Sequence, residues 1–350
     1  MDEQQAWPEY NGRPTVYLDQ NVIDLAVKQR DPEFFSQFSK DFQIVYSDHT
    51  LREIQRSGQP DKFLEVLSRF NAMILKHDVD SAFQPTGQMW LASTCPVAAF
   101  EQYLATAPLF DQMLASAHQT TLKMFGGRKD NSFQDIAVEQ MEAFKGLMKM
   151  VADGAAAVAD THPELVAAAN QYIEITQREY EKATQLSAQE MSKHIDESGA
   201  KSGIQGYRDA VGAGPVQLNN IEAPDVIKKI WAIYQNLEGY KDRGFTIENF
   251  LGISFSPIHD RELHRFEKVT NIYNLLNVIG YKPDSRLDKD NRQIASISDA
   301  AHASTAMFAN VLLSRDAAFV SKVRAIYEYL DIRTEVGLVT VQDERIVITA

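Results

Sequence analysis

The chain has 350 residues, 44% of them hydrophobic, one cysteine, and a formal net charge of −13 from 35 Lys/Arg against 48 Asp/Glu. That length admits two domains, or one domain with a large insertion, and the apolar content allows a sizeable core. The lone Cys95 excludes an intrachain disulfide and a cysteine zinc cluster; no run approaches the ~18 consecutive apolar residues of a spanning helix; and the acidic balance argues against broad, non-specific affinity for nucleic acid.

The opening Met-Asp-Glu-Gln-Gln has neither the basic start nor the apolar stretch of a signal peptide, so a cytoplasmic location and no membrane partner are expected. Charge is uneven along the chain. Residues 80–200 hold 16 Asp/Glu and 8 Lys/Arg, whereas residues 261–292 hold 7 Lys/Arg and 5 Asp/Glu. A polyanion can be held locally beside a bound cation, but steering from afar would be poor.

Residues 1–13 are polar and read as a loose arm. Thr15-Val-Tyr-Leu18 reads as a strand, and Val22, Leu25, Ala26 and Val27 then recur at helical spacing. Asp31-Pro32 marks a break before a short helix over 33–40. Phe42–Tyr46 reads as a second strand feeding a helix that opens at Ser47 or Asp48, both good N-cap types. Residues 64–75 read as a further amphipathic helix. From about 80 to 200 no strand is expected, and Pro163–Ile195 reads as one long helix, rich in helix formers and free of internal Gly and Pro. Five glycines over 199–215 read as a flexible loop. Helices resume at 224–237 and 261–279. After residue 290 the β/α alternation returns: a small-residue helix over 299–308, a buried strand at Val311–Ser314, a helix over 317–330, strands at 332–336 and 338–341, and an edge segment at 345–349. Alternating strands and helices imply an α/β fold with a parallel sheet. The expected organisation is a split α/β domain over 14–78 and 290–350, with an all-α insertion over 79–289.

Four separated carboxylates fall at the edges of these elements. Asp19 ends the first strand, Glu53 lies one turn into the helix after the second, Asp299 opens its helix, and Asp316 follows the Val311–Ser314 strand. Ligands of open parallel sheets bind beyond the carboxyl ends of the strands, where strand order reverses. If the strands before Asp19 and Asp316 are neighbours, both acids face one crevice. Hard divalent ions take oxygen ligands, and two such ions can clamp the attacking and leaving oxygens of a phosphoryl displacement. These acids are the candidate catalytic and metal-binding residues.

The segments Val16-Tyr-Leu-Asp-Gln-Asn-Val22, Val45-Tyr-Ser-Asp-His-Thr-Leu-Arg-Glu-Ile54, Ser298-Asp-Ala-Ala-His302 and Leu312-Leu-Ser-Arg-Asp-Ala317 carry a family likeness. Over about residues 14–75 and 290–340 the chain resembles the PIN-like domains, metal-dependent nucleases with a Rossmann-like fold. The resemblance implies that Asp19, Glu53, Asp299 and Asp316 form the acidic set, with Asn21 at a small polar position and Ser314 at the Ser/Thr position before the last acid. It also implies Mg²⁺ or Mn²⁺ as cofactor, and a water attacking a phosphodiester, in RNA rather than DNA. A toxin or defence role is an expectation from the class. The insertion of around 200 residues departs from the family's compact form.

Each acid also has an ordinary reading. Asp19 can be a turn residue, Glu53 can close a capping box with Thr50, and Asp299 and Asp316 can be N-caps. Asp48 reads as an N-cap peripheral to the site. His302, one turn after Asp299, reads as a satisfied structural histidine near the site. Lys322 can reach a phosphate, with a solvated surface lysine as its default. Gly126-Gly-Arg-Lys129 lacks P-loop spacing, Gly212-Ala-Gly214 follows no strand, and there is no HExxH or Gly-x-Ser-x-Gly pattern. The competing functions are a non-catalytic scaffold whose helical insertion makes protein or homo-oligomer contacts, and a DNA nuclease, which would want a cationic arch that the acidic insertion does not offer.

Overall fold

The computed structural model describes residues 9–80, 84–157, 160, 163–195, 201–255 and 261–349. Of the expected arm, residues 1–8 lie outside the described residues, and 9–14 have no regular structure. In chain order the elements are β1 (Thr15–Leu18), α1 (Gln20–Val27), α2 (Pro32–Asp41), β2 (Gln43–Tyr46), α3 (Asp48–Arg56), α4 (Pro60–Arg69), β3 (Met73–Val79), β4 (Pro85–Ala92), α5 (Pro96–Ala117), α6 (Gln119–Met124), α7 (Phe133–Ala156), α8 (Pro163–His194), α9 (Gly203–Val211), α10 (Pro215–Leu218), α11 (Val226–Tyr234), α12 (Ile247–Leu251), α13 (Arg265–Ile279), α14 (Asp290–Ala306), β5 (Val311–Ser314), α15 (Ala317–Tyr329), β6 (Glu335–Gln342) and β7 (Arg345–Thr349). Among the described residues no helix is long and apolar enough to cross a membrane.

Two compact units result, one of residues 1–103, 211–284 and 296–350, the other of 104–210 and 285–295. The first holds a seven-stranded mixed sheet of order β4-β3-β2-β1-β5-β6-β7. The five inner strands run parallel, and the two edges, β4 and β7, are antiparallel. Strands β1 and β2 are buried at every position, as strands covered on both faces must be. Connections step one way from β1 to β3 and the other way from β5 to β6. Right-handed crossovers therefore put α1–α4 on one face and α15 on the other. The order reverses between β1 and β5, which pair in parallel with Tyr17 opposite Leu312 and Leu18 opposite Leu313.

The second unit is helical. Long helices α7 and α8 pack on each other, with Phe144 stacked on Tyr180 at 4.0 Å. Phe133, Ala137 and Ala188 form its buried core against Met124, Met191 and Ile195.

Several expectations are corrected. The helix expected over 64–75 ends at Arg69, because Asn71 adopts a left-handed conformation (φ 48°) that stops it, and the chain turns into β3. The block 79–289 is not all-helical: β4 pairs with β3, its exposed Thr86, Gln88 and Trp90 alternating with more covered residues, a period dulled in the sequence by Pro85 and Gly87. Residues 211–284 belong with the sheet, since α11 and α13 pack on α15. The glycine-rich stretch contains α9, whose first turn Ser202 caps through the Gln205 amide and whose Ile204 is buried. Asp299 does not open its helix; α14 begins nine residues earlier.

The strands expected at 332–336 and 338–341 are one continuous β6. Gly337 belongs inside it because a side chain there has no room: a Cβ would stand 2.6 Å from Leu313 Cδ2 and 2.8 Å from Ile348 Cγ2. Gly337→Val is therefore expected to destabilise the fold by about 1–3 kcal/mol, read as a lower midpoint in chemical unfolding. An unchanged midpoint would contradict this packing.

Candidate metal centre

The site is built where β1 and β5 end side by side. The Asp19 amide donates to the Leu313 carbonyl at 3.0 Å, carrying the ladder one residue past β1. Asp19 then occupies the N-cap position of α1, yet its carboxylate makes no capping bond to that helix. Its Oδ2 accepts instead from Asn21 Nδ2 at 2.6 Å and from Ser314 Oγ at 2.5 Å. Asn21 Oδ1 accepts from the Arg315 amide, and Ser314 Oγ from the Asp316 amide. The two positions singled out beside the acids, Asn21 and Ser314, thus orient Asp19 and tie the strand ends together.

Glu53 projects from α3 toward the same point. Its Oε1 accepts from Ser298 Oγ at 2.8 Å, and its Oε2 lies 3.2 Å from His302 Nε2. Thr50 closes its capping box with Ser47, not with Glu53, so Glu53 is free for the site. His302 is 1% exposed. Its Nδ1 lies 2.6 Å from the Tyr17 hydroxyl, which in turn meets Ser47 Oγ at 2.7 Å and Thr50 Oγ1 at 3.2 Å. Nε2 is within ion-pair distance of Glu53 Oε2, at 3.2 Å, but makes no well-formed hydrogen bond. The satisfied histidine expected from the sequence is therefore only half satisfied.

Ligand atoms of Asp19, Glu53 and His302 all lie within 4.8 Å of one another. Asp299 and Asp316 are outside this group. Asp299 is a neighbour by charge: it sits one helical turn before His302, partly buried, and burial together with Asp19, Asp284 and Glu53 holds its carboxyl well above the usual range. Asp316 is exposed and is the N-cap of α15, its Oδ1 accepting from the Ala318 and Phe319 amides. Asp48, by contrast, is not a cap, as Ser47 holds that place; Asp48 pairs with Lys76 at 2.5 Å.

Lys322 is no surface lysine. It is fully buried, 2.6 Å from Asp284 Oδ1 and 2.9 Å from Asn277 Oδ1, with its ammonium 3.8 Å from the centre of the Tyr273 ring. Asp284 also accepts from Asn277 Nδ2 and Ser296 Oγ. This pair lies within electrostatic reach of Asp299 and Asp316; burial lowers the Lys322 ammonium from its usual range, opposed by Asp284 and these acids. Lys322 therefore has no route to a substrate phosphate in this conformation. Asp284 and Asn277 carried no sequence signal, since Pro283-Asp284 reads as a turn.

Buried charge sets the electrostatics. Burial raises the Asp19 carboxyl, opposed by His302 and Ser314. Burial also acts to raise Glu53, but the His302 charge and its hydrogen-bond donors outweigh it and leave the carboxyl lowered. His302 is held well above its usual value: burial opposes its charge, and Tyr17, Glu53 and Asp19 overcome that.

Comparison of the chain with protein-family models, with curated proteins and with solved structures gives no match.

These directions predict the pH response of the ion-free chain. Asp19 and Asp299, raised, lower stability as pH climbs from the ordinary carboxylate range through their folded values. His302, raised, contributes fully below about 6.5 and loses that contribution as pH rises through its folded value. Glu53, lowered, contributes above its ordinary value and loses this as pH falls through its folded value. Thermal unfolding in chelator should accordingly show a higher midpoint near pH 6 than near pH 9. Asp299→Asn should raise stability at neutral pH by about 0.5–2 kcal/mol and flatten the profile. A midpoint that climbs steadily toward alkaline pH would contradict this reading.

Proposed function

We propose that the chain is a divalent-metal-dependent endonuclease of PIN-like type, hydrolysing phosphodiester bonds in RNA. The observation that carries the proposal is the convergence of Asp19, Glu53 and His302 donor atoms at the carboxyl ends of the parallel strands, beside the point where strand order reverses. Small polar groups that orient the acids rather than cap helices support a site under functional constraint.

Asp19 and Glu53, with His302 beside them, would hold the ion. A bound divalent ion would supply Lewis-acid stabilisation of charge on the phosphate. The protein's own groups do the rest. Asn21 and Ser314 fix the Asp19 carboxylate, and Ser298 fixes that of Glu53. Asp299, whose carboxyl burial and the neighbouring acids hold well above the usual carboxylate range, would accept the proton of the attacking water as the new P–O bond forms. The departing sugar oxygen leaves with the broken P–O bond and is protonated from solvent. RNA as substrate follows from the family resemblance, and the acidic balance favours a substrate held at the site over one drawn in by long-range attraction.

A scaffold reading has one specific support: Tyr172 and Ile175, one turn apart on α8, are 62% and 51% exposed. Cleavage assays separate the two. Labelled single-stranded RNA and DNA of one sequence are incubated with the full chain in Mg²⁺, in Mn²⁺ and in chelator. Metal-dependent RNA cleavage is expected, and Asp19→Asn should lower it at least about 100-fold, the equivalent of about 3 kcal/mol, with circular dichroism unchanged. Cleavage that survives in Asp19→Asn, or in chelator, would overturn the assignment.

A further inference from the structure

We propose that His302 is a direct nitrogen ligand of the ion, which makes this a mixed carboxylate–imidazole centre selective for first-row transition ions over Mg²⁺. The inference rests on the metal-binding part of the reading above and goes beyond it in ligand set and ion.

The two ring nitrogens of His302 have different surroundings. Nδ1 is engaged by the Tyr17 hydroxyl, itself held by Ser47 and Thr50, so the ring is fixed from behind by three side chains on β1 and at the start of α3. A hydrogen bond to the distal nitrogen is the usual support of a metal-binding imidazole, fixing ring orientation and tautomer. Nε2 is the opposite case. It belongs to a residue 1% exposed, has no aligned hydrogen-bond partner, and points into the space shared with Asp19 and Glu53. A buried polar atom that faces a carboxylate without a well-formed hydrogen bond calls for an explanation. Coordination is the explanation its surroundings favour.

Spacing agrees. Donor atoms at about 2.1 Å from one ion stand about 3 Å apart when adjacent and a little over 4 Å apart when opposite. Nε2 and Glu53 Oε2 are 3.2 Å apart, and all three donor atoms fall within 4.8 Å. The carboxylates are already oriented by other groups, Asp19 by Asn21 and Ser314, Glu53 by Ser298. Three preset donors on one side leave the remaining positions for water and substrate oxygen.

Ligand chemistry then decides the ion. Mg²⁺ prefers oxygen donors and keeps its waters, whereas imidazole suits first-row transition ions and raises their affinity along the series from Mn²⁺ to Cu²⁺. Among the described residues, His49 has its ring 6.1 Å from that of His302 and lies outside the group.

The test is made on the full chain with Mn²⁺ and read by electron spin-echo spectroscopy for nitrogen bound to the ion. The unmodified protein should give the nitrogen modulation of one coordinated imidazole. Co²⁺ or Zn²⁺ should displace Mn²⁺ near stoichiometrically, and Mg²⁺ only in more than about 100-fold excess. His302→Gln should remove the nitrogen signal and weaken Co²⁺ binding more than about 10-fold, and His49→Asn should leave both unchanged. Because the signature is read on the unmodified chain, the conclusion does not depend on whether His302→Gln folds. Bound Mn²⁺ without nitrogen modulation, or modulation lost in His49→Asn but kept in His302→Gln, overturns the His302 assignment and leaves a carboxylate ion site standing. No Mn²⁺ binding at all overturns this inference and the metal-dependent function together.

Discussion

Parallel pairing of β1 with β5 is the constraint on which the acidic end of the sheet depends. It joins residues almost three hundred positions apart, with Leu18 opposite Leu313, and brings Ser314 to within 2.5 Å of Asp19. Because β1 also pairs in parallel with β2, the chain must leave the sheet in opposite directions on either side of β1. That divergence opens the space into which Asp19 points and which α3 and α14 approach with Glu53 and His302. Shifting the β1–β5 register by one residue would turn the inward side chains outward and dissolve the Asn21–Asp19–Ser314 arrangement.

Held together this closely, the charged groups oppose the fold. Asp19, Glu53, Asp284 and Asp299 share one region, and the protein contributes only His302 and Lys322 as buried counter-charges among the described residues there. Lys322 is committed to Asp284, so it offsets acids beside the centre without filling the centre itself. His302 faces Glu53 at ion-pair distance, 3.2 Å. A region of buried charge that local hydrogen bonds satisfy only in part is the arrangement in which binding a cation returns stability to the fold. Asp19 and Asp299, whose carboxyls burial raises, are expected to be liabilities in the absence of an ion.

Much of this was legible in the sequence. Val-Tyr-Leu before Asp19 and Val-Leu-Leu before the last acid read as buried strands because each is a short apolar run ending at a turn residue, and both are strands. Asn21 and Ser314 were singled out by the resemblance, which puts small polar residues at those two positions. Elements whose cause is distant were not legible. Strand β4 exists because β3 offers it an edge, and Pro85 and Gly87 interrupt its own strand signal. Asp299 reads as a cap because the residues before it are Ser-Ile-Ser, which helix α14 absorbs once tertiary contacts bury Ser296 and Ser298. Burial of Lys322 depends on Asp284 and Asn277, thirty-eight and forty-five residues earlier. His302 reads as a structural residue because nothing local indicates that Tyr17 occupies one nitrogen while the other faces Glu53.

We propose that Asp19 and Glu53 converge to hold one divalent ion at the reversal of strand order. Titration calorimetry of Mn²⁺ into the full chain, beside Asp19→Asn and Glu53→Gln proteins checked for fold by circular dichroism, tests it without assuming a substrate. A single saturable event in the unmodified chain, lost in both folded variants, is the predicted result. Equal binding by all three proteins, or no saturable binding by the unmodified one, would contradict it.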